Sequence, residues 1–438
     1  MINNFQIVTK ITVGLFLIFS TTLKAQELDL KSYIDLVKNN NLDLKQANYQ
    51  IKSSKEDKKI ARSLWLPSVS LEGFYQRDFN KNYLFISDEF DGSITQLRTN
   101  FNNSVDFSST ITQVLYDSDV IASLKIAKLA DELSLINIEQ AQNEIITQAS
   151  ILYWQAILVK ESIAVLEEDA NLAKLQFNQI ESVYKKGAVS KLELYQAEAL
   201  YKETLPALNK AKKQYNSLLN ELKTIANIDL TEEFVLVDNL ESITVNVQLS
   251  VNSDKINNQP HLQSLKKEIE ISEVNIKSKK RFWYPKLNLV TGYNYIGQDN
   301  RFNFNNNKNK LFFGQLRLSI PVFSGGKNKA ELAKAQIEKD VIQVKFQQKK
   351  AEFLKQLHTA QIDYNSAIEN IDIRKSTVAL NQKEIAIYNK QLHLGVVTPI
   401  DYKEVRLRLL QSKLELLNDY LELHIASLQI KRILGTIK

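Results

Sequence analysis

Two short patterns occur twice in this chain of 438 residues, in the same order and about half a chain apart. Leu64-Trp65-Leu66-Pro67 returns as Phe282-Trp283-Tyr284-Pro285. Tyr184-Lys185-Lys186-Gly187-Ala188-Val189-Ser190 returns as Leu392-His393-Leu394-Gly395-Val396-Val397-Thr398. So long a period excludes a solenoid, whose units run to about 20–50 residues. It implies two structurally equivalent halves, each a complete supersecondary unit.

The spacing between these patterns is filled by unusually long helical runs. Neither glycine nor proline occurs from 119 to 186 or from 327 to 394. As single helices these would each extend roughly 100 Å. A compact globular domain has no use for that length, which instead suits a coiled coil or a helical tube. Helices at 190–226 and 398–434 would add roughly 55 Å each, and helices at 41–64 and 260–283 roughly 36 Å. One short and one intermediate helix end to end nearly match one long helix. The long helix therefore runs to a distal tip and the shorter two return in stages. Their junction is a waist, to which the irregular segments 26–40 and 227–257 belong. Pro206 predicts a bend inside the first return helix.

Each half also carries a strand pair. After Pro67, Val69, Leu71, Gly73 and Tyr75 alternate with Ser68, Ser70, Glu72 and Gln76, predicting a strand over 68–76. A polar loop at 78–103 leads to a second strand over 104–116. The later half repeats this at 286–296 and 311–322, where Leu316, Leu318 and Ile320 alternate with Gln315, Arg317 and Ser319. Strict alternation means one apolar and one wet face. It fits a membrane β-barrel, and equally a soluble antiparallel sheet with one solvated face. Aromatic residues gather around both pairs, and Trp65 and Trp283 stand where strands begin. Tyr and Trp favour membrane–water interfaces, which tips the reading towards a barrel.

Composition narrows the compartment and the chemistry. Lys10 leads an apolar stretch from Ile11 to Phe19, and Ala25 offers a small residue at a cut, so residues 1–25 read as a secretory signal. Cleavage before Gln26 leaves no cysteine to carry lipid. The chain has no cysteine at all, which excludes disulfides and thiolate metal sites. A net charge of +6 from scattered basic residues is no nucleic-acid footprint. His261, His358, His393 and His424 stand apart from one another in sequence and match no metal or catalytic spacing. The reading is of a non-enzyme without cofactor or metal.

Four strands cannot close a barrel, and lipid tolerates no open sheet edge. Membrane strands would therefore require oligomerisation. Two copies give eight strands and a filled interior, whereas three give twelve and room for a channel. This layout resembles the TolC-like outer-membrane efflux family over nearly all of the mature chain. The residues that carry the resemblance are the paired W-x-P motifs, the junction Pro321-Val322-Phe323-Ser324-Gly325-Gly326-Lys327, the tip pattern G-x-x-[ST]-x-x-[DE] at Gly187 and Gly395, and the closing Leu434-Gly435-Thr436. The resemblance implies a fold of α and membrane β, with two tandem repeats (26–226 and 258–438) flanking an equatorial segment at 227–257. It implies a homotrimer whose 12-stranded barrel in outer-membrane lipid continues as an α-helical tunnel across the periplasm. It further implies an exit duct of a tripartite efflux or type I secretion system, with an adaptor and an inner-membrane pump at the tunnel end. The alternative is a periplasmic coiled-coil adaptor without a pore. The first junction departs from the family pattern, with Tyr116-Asp117-Ser118-Asp119 in place of Phe-Ser-Gly-Gly, and reads as a variant turn.

Candidate sites follow from position. Gly187 and Gly395 suit helix C-terminal turns. Ser190 with Glu193, and Thr398 with Asp401, have capping-box spacing, with Pro399 at the first helical position. By the resemblance, Gly187, Ser190, Gly395 and Thr398 form the tips where an adaptor docks. Asp401 and Glu404 match the family's constriction acids, and Glu193 holds the equivalent place in the first half. Threefold symmetry would stack Asp401 and Glu404 as acidic rings that favour cations. Asp401 could equally serve only as a helix cap. The arginine and tyrosine tethers that lock the closed tip in the family are replaced by Val397 and Leu392. Glu72, Lys286, Gln315 and Arg317 face the barrel lumen by parity.

Overall fold

The computed structural model describes residues 26–436 apart from 88, 89, 91, 243–252, 306, 394 and 395. The leader 1–25 and Gly395 thus lie outside the described residues. A short strand β1 (Gln26–Leu28) leads into helices α1 (Leu30–Asn40) and α2 (Leu42–Ser63). Asp29 caps α1 by accepting from the Ser32 amide, and Asn41 caps α2 by accepting from that of Leu44. Pro67 separates α2 from strand β2 (Ser68–Arg77). A small hairpin of β3 (Tyr83–Ser87) and β4 (Ile94–Arg98) precedes β5 (Asn103–Tyr116). Helix α3 (Ser118–Lys185) runs 68 residues without a break, and α4 (Lys191–Lys202) and α5 (Thr204–Ile225) return from its far end. Strand β6 (Phe234–Leu236) and a 3-10 turn at Ser253–Asn258 connect the halves. The second half comprises α6 (Pro260–Lys280), β7 (Lys286–Asp299), β8 (Lys308–Ser319), the 67-residue α7 (Lys327–His393) and the 35-residue α8 (Pro399–Ile433).

Four sequence expectations need correction. Segment 26–40 is not irregular: β1 pairs in parallel with β6, and α1 follows it. The loop over 78–103 contains the β3–β4 hairpin. The strand expected at 311–322 stops at Ser319, so Ile320 lies outside it. Pro321 offers no N–H to a ladder, so regular pairing does not continue through it. The single return helix at 190–226 is two helices that meet at Glu203. Pro206 supplies the reason. It lacks the N–H that would bond the Lys202 carbonyl, and its ring crowds that oxygen.

The four long strands form one antiparallel sheet in the order β2-β5-β7-β8, with a bulge in β5 between Val114 and Tyr116. Below it, helices pack lengthwise and meet at the waist. There α1, β1 and β6 close over the middle of α3 and the ends of α5 and α8. The waist core contains Tyr33, Tyr153, Leu222, Leu236, Leu262 and Ile430, all at most 1% exposed. Its polar atoms are paired: Tyr33 Oη donates to the Leu222 carbonyl at 3.1 Å, and Tyr153 Oη lies 2.8 Å from Asp238 Oδ2. Burial pushes both phenols well above the ordinary tyrosine range. Helix α3 is long and apolar enough by composition to cross a membrane. Its most deeply buried stretch, from Ile146 to Val159, forms part of this core.

Candidate channel wall and tip

The register assigns every strand residue to a face. Glu72 pairs with Ser108, Ser108 with Asn294, Asn288 with Arg317, Val290 with Gln315, and Lys286 with Ser319. Glu72, Lys286, Gln315 and Arg317 therefore share one face, because paired residues point the same way. Leu71, Ser109, Tyr293 and Phe312 form a row across the opposite face, beside Leu289 with Leu316 and Leu287 with Leu318. Four strands from two distant segments thus put their apolar sets on one side. Leu71 is 80% exposed, Phe312 77% and Leu316 67%. Among the described residues nothing covers these side chains, although each would gain roughly 1.5–3 kcal/mol from an apolar medium.

Aromatic residues mark the rims of this apolar band. At one end Tyr75 stacks on Phe302, with centroids 5.7 Å apart, and Phe302 meets Phe304 edge-on. At the other, Trp283 packs edge-on against Tyr284 and donates its indole N–H to the Lys280 carbonyl at 3.1 Å. Two glycines fix the strand fit: a Cβ at Gly73 would lie 2.8 Å from the Phe107 ring, and one at Gly292 only 2.9 Å from both the Phe313 ring and the Ser109 carbonyl.

Lys286 is no free charge. Its ammonium lies 2.7 Å from Asp119 Oδ2 and 3.1 Å from Asp117 Oδ2, while Asp119 Oδ1 accepts from Ser278 Oγ at 2.8 Å. Asp117 also caps α3, accepting from the Asp119 amide. The Asp-Ser-Asp variant junction thus cross-links β7, α3 and α6. The corresponding junction in the second half uses Gly325 and Gly326, both at positive φ.

At the far end of the helices the two turns differ. Gly187 has φ +76, and the Ala188 amide reaches back to the Val183 carbonyl. Ser190 accepts from the Glu193 amide at 3.3 Å, but no hydrogen bond returns from Glu193, so only half of the expected capping box forms. Thr398 and Asp401 form the whole box: the Asp401 amide donates to Thr398 Oγ1, and the Thr398 amide donates to Asp401 Oδ2 at 2.9 Å. The Thr398 amide and hydroxyl hold the Asp401 carboxyl below the usual carboxylate range. Asp401 and Glu404 are both exposed and Glu193 is half-buried. Among the described residues no hydrogen bond or ion pair within the chain joins Glu193, Asp401 and Glu404.

Sequence reasoning missed one charged site behind the tip. Arg406 on α8 and Asp169 on α3 are 4% and 6% exposed, with Nε 3.4 Å from Oδ1. These two atoms and Arg406 Nη1 make no hydrogen bond. Burial pushes the Asp169 carboxyl up, and the Arg406 charge opposes that rise. Nearby, Lys403 bridges to Glu203 at 2.9 Å, tying α8 to the break between α4 and α5. No sequence signal marks this pair, since lone acids and bases recur throughout these helices. Of the histidines, His424 is buried at the waist. It stacks on Trp154 and contacts the Leu240 carbonyl at 3.0 Å, and burial lowers its pKa to about 4.

The chain resembles known proteins along almost its whole length. Nodulation protein T of Rhizobium leguminosarum bv. trifolii is 19% identical over 86% of this chain and 79% of its own length. The probable efflux pump outer membrane protein TtgC of Pseudomonas putida is 20% identical over 90% and 80%. In structure, the CmeC outer membrane channel of Campylobacter jejuni aligns with a TM-score of 0.77 at 18% identity, covering 93% of this chain and 85% of that one. The MtrE outer membrane channel of Neisseria gonorrhoeae aligns at 0.75 and 15% identity, covering 93% and 91%. The outer membrane efflux protein profile matches twice, at 33–227 and 251–436, and each match spans one strand pair with its long helices. The chain is thus a member of the outer membrane efflux protein family, an outer-membrane export channel rather than an enzyme.

Proposed function

We propose that three copies of this chain close the channel, each giving four strands to a barrel of twelve. The open sheet with one bare apolar face carries this reading. Its edges, β2 and β8, are long, and among the described residues neither pairs with a further strand. Four strands per chain is an even number, so β8 of one copy meets β2 of the next in the antiparallel sense. Closure satisfies both edges, as a bilayer requires, and puts the apolar face against lipid and Glu72, Gln315 and Arg317 in the lumen. Lys286 closes the lumen's inner end as a strut between barrel and helices. The helices continue the duct towards an adaptor and an inner-membrane pump, docked at the turns around Gly187, Ser190, Gly395 and Thr398. Asp401 and Glu404 ring the mouth, with Glu193 beside them, and favour cations there. Cargo is driven by the pump, and the duct does no chemistry. A pore-free adaptor would leave the apolar sheet face without a role.

The experiment is fractionation and conductance. The protein should run as a heat-modifiable trimer extracted from outer membranes and form cation-preferring channels in planar bilayers. A monomer in the soluble periplasmic fraction, or a trimer without conductance, would refute the reading.

A further inference from the structure

Bases that are scattered along the sequence come together at one level of the fold, where the helices meet the strands. The ends of α2 and α6 and the start of α3 lie there, beside Trp65 and Trp283. Lys286 shows which side of the helical wall is which. It shares the lumen face of the sheet and reaches Asp119, so Asp119 lies on the lumen side of α3. At about 100° per residue, Ile121, Lys128, Glu132 and Leu135 fall within about 40° of the opposite, outer side. Lys267 meets Glu132 at 3.0 Å and Glu270 at 2.9 Å, and so marks the outer side of α6. Lys277 and Arg281 follow Glu270 on that side by two and three turns, with Lys280 beside them. Lys59 and Arg62 precede Trp65 as Lys277 and Lys280 precede Trp283, so the duplicated helix α2 presents its pair outward too.

Most of these bases are unpartnered. Arg62, Lys128, Lys277, Lys280 and Arg281 are exposed. Among the described residues none of the five takes part in an ion pair within the chain, and Lys59 pairs with Glu56 one turn back. The bases that face other helices are all paired: Lys58 with Asp131, Lys279 with Glu331, and Lys286 with Asp117 and Asp119. These pairs take up the acids nearby and leave free positive charge on the outer side. Its upper margin touches the aromatic rim, where the Arg281 guanidinium sits 5.7 Å from the centroid of the Tyr284 ring. Trp283 beside it is 60% exposed.

We propose that these bases form a collar that binds the phosphate headgroups of anionic phospholipids in the leaflet facing the periplasm. The proposal rests on the trimeric barrel reading above, which puts lipid against the apolar band. The collar continues that band without a gap, through aromatic residues of the kind that settle at headgroup level. That continuity favours lipid over a soluble acidic protein. The bases lie within roughly 15–20 Å of the strand ends along the helices, and their long stems reach back towards the membrane while the charge stays in water. Lysine and arginine form charge-assisted hydrogen bonds to phosphate, and a basic cluster beside a membrane draws anionic lipid to it. Assembly triples the collar into a ring that sets how deep the barrel sits.

Native mass spectrometry of the detergent-solubilised protein reads the lipid directly. Offered phosphatidylglycerol and phosphatidylcholine in equal amounts, the native trimer should retain the anionic lipid with about tenfold preference. Arg62→Gln with Lys277→Gln, Lys280→Gln and Arg281→Gln should abolish the preference. An equal loss of charge farther down the helices, Lys210→Gln with Lys213→Gln, Lys383→Gln and Lys390→Gln, should keep it. The chain's lack of cysteine allows a second reading from single substitutions in vesicles. A fluorophore on Lys277→Cys should be quenched by phospholipid spin-labelled at its headgroup, and one on Asn275→Cys, across the helix, should not. A native chain that migrates as a monomer refutes the trimeric reading itself. An intact trimer without the preference, or equal loss in both charge variants, overturns the collar alone. So does quenching at neither site, which would leave this level to water or to a soluble acidic partner.

Discussion

Replacing Arg406 by Met tests how the helical tip is held together. The substitution keeps the long side chain's volume and leaves Asp169 buried on α3 without its counter-charge. Removing one member of a buried pair typically costs about 3–5 kcal/mol. Here the upper half of that range is not expected. Arg406 Nε, Arg406 Nη1 and Asp169 Oδ1 make no hydrogen bond even in the intact pair, so the lost geometry is already imperfect. The carboxylate can also take up a proton, as its raised pKa indicates. A loss of about 3 kcal/mol at neutral pH is therefore expected for Arg406→Met. The double variant with Asp169→Leu should recover that loss or exceed the native stability, since apolar replacement of both partners is often neutral or stabilising by about 1–4 kcal/mol. The pH dependence has a defined sign. A carboxyl whose folded pKa is raised favours folding fully below its unfolded pKa, and that contribution fades as pH rises through the folded value. The single variant should therefore regain stability on acidification, more steeply than the native chain, with Tyr402 and Glu168 as the neighbouring titratable groups. Denaturant melts followed by far-UV circular dichroism, at several pH values, read both effects. Equal losses in the single and double variants, or a loss unaffected by pH, would refute the account.

Other outcomes follow from the same geometry. Thr398→Ala should cost about 1 kcal/mol as a lost cap, whereas Ser190→Ala, which removes half a box, should cost less; thermal melts compare them. Asp401→Asn with Glu404→Gln should weaken cation preference in single-channel recordings, and unchanged selectivity would leave Asp401 as a cap alone. Cysteines at Gln315, Arg317 and Ser319 should react with a membrane-impermeant thiol reagent and those at Leu316 and Leu318 should not; the reverse pattern would invert the register assignment. Lys286→Met should lower the trimer's dissociation temperature by unpairing Asp117 and Asp119, with little change in conductance.

The parts of the fold legible in the sequence are those where backbone chemistry is decisive over a long stretch. The absence of glycine and proline from 119 to 186 leaves a helix as the simplest outcome, and α3 fills that span with one residue added at its start and one lost at its end. Alternation from Gln315 to Ser319 fixes which face is apolar, because a strand has only two sides. What stayed hidden depends on partners distant in the chain. Gln26–Leu28 becomes a strand only because Phe234–Leu236 lies beside it. Tyr83–Ser87 alternates without changing polarity, so no face stands out. Arg406 and Asp169 look like any charges on a polar helix until α3 and α8 are packed together. Lys286 was legible as to face but not as to use, since its partners lie on α3.

The two halves share a plan but divide its demands unequally. In the second half, α8 is continuous and begins in a complete capping box, so Asp401 is held at a fixed place at the tip. In the first half, Pro206 breaks the return helix and Ser190 completes only part of its box. Yet this broken helix is tied to α8 through Glu203 and Lys403, directly at the break, with the buried Arg406–Asp169 pair one turn along α8. An unbroken first return helix would not need that tie, and an ion pair in solvent would not supply much, since exposed pairs contribute about 0–1 kcal/mol. The buried pair costs desolvation but has little tolerance for displacement, because separating α3 from α8 leaves both charges stranded. It therefore fixes the spacing of α3 and α8 where the bend in α4–α5 would otherwise leave the tip free to vary. A duct duplicated from one unit has six near-equivalent helical hairpins around its axis when three copies assemble. On the trimeric reading proposed above, this asymmetry lowers that sixfold plan to a threefold one, and the proposed constriction acids Asp401 and Glu404 lie on the hairpin whose cap is complete.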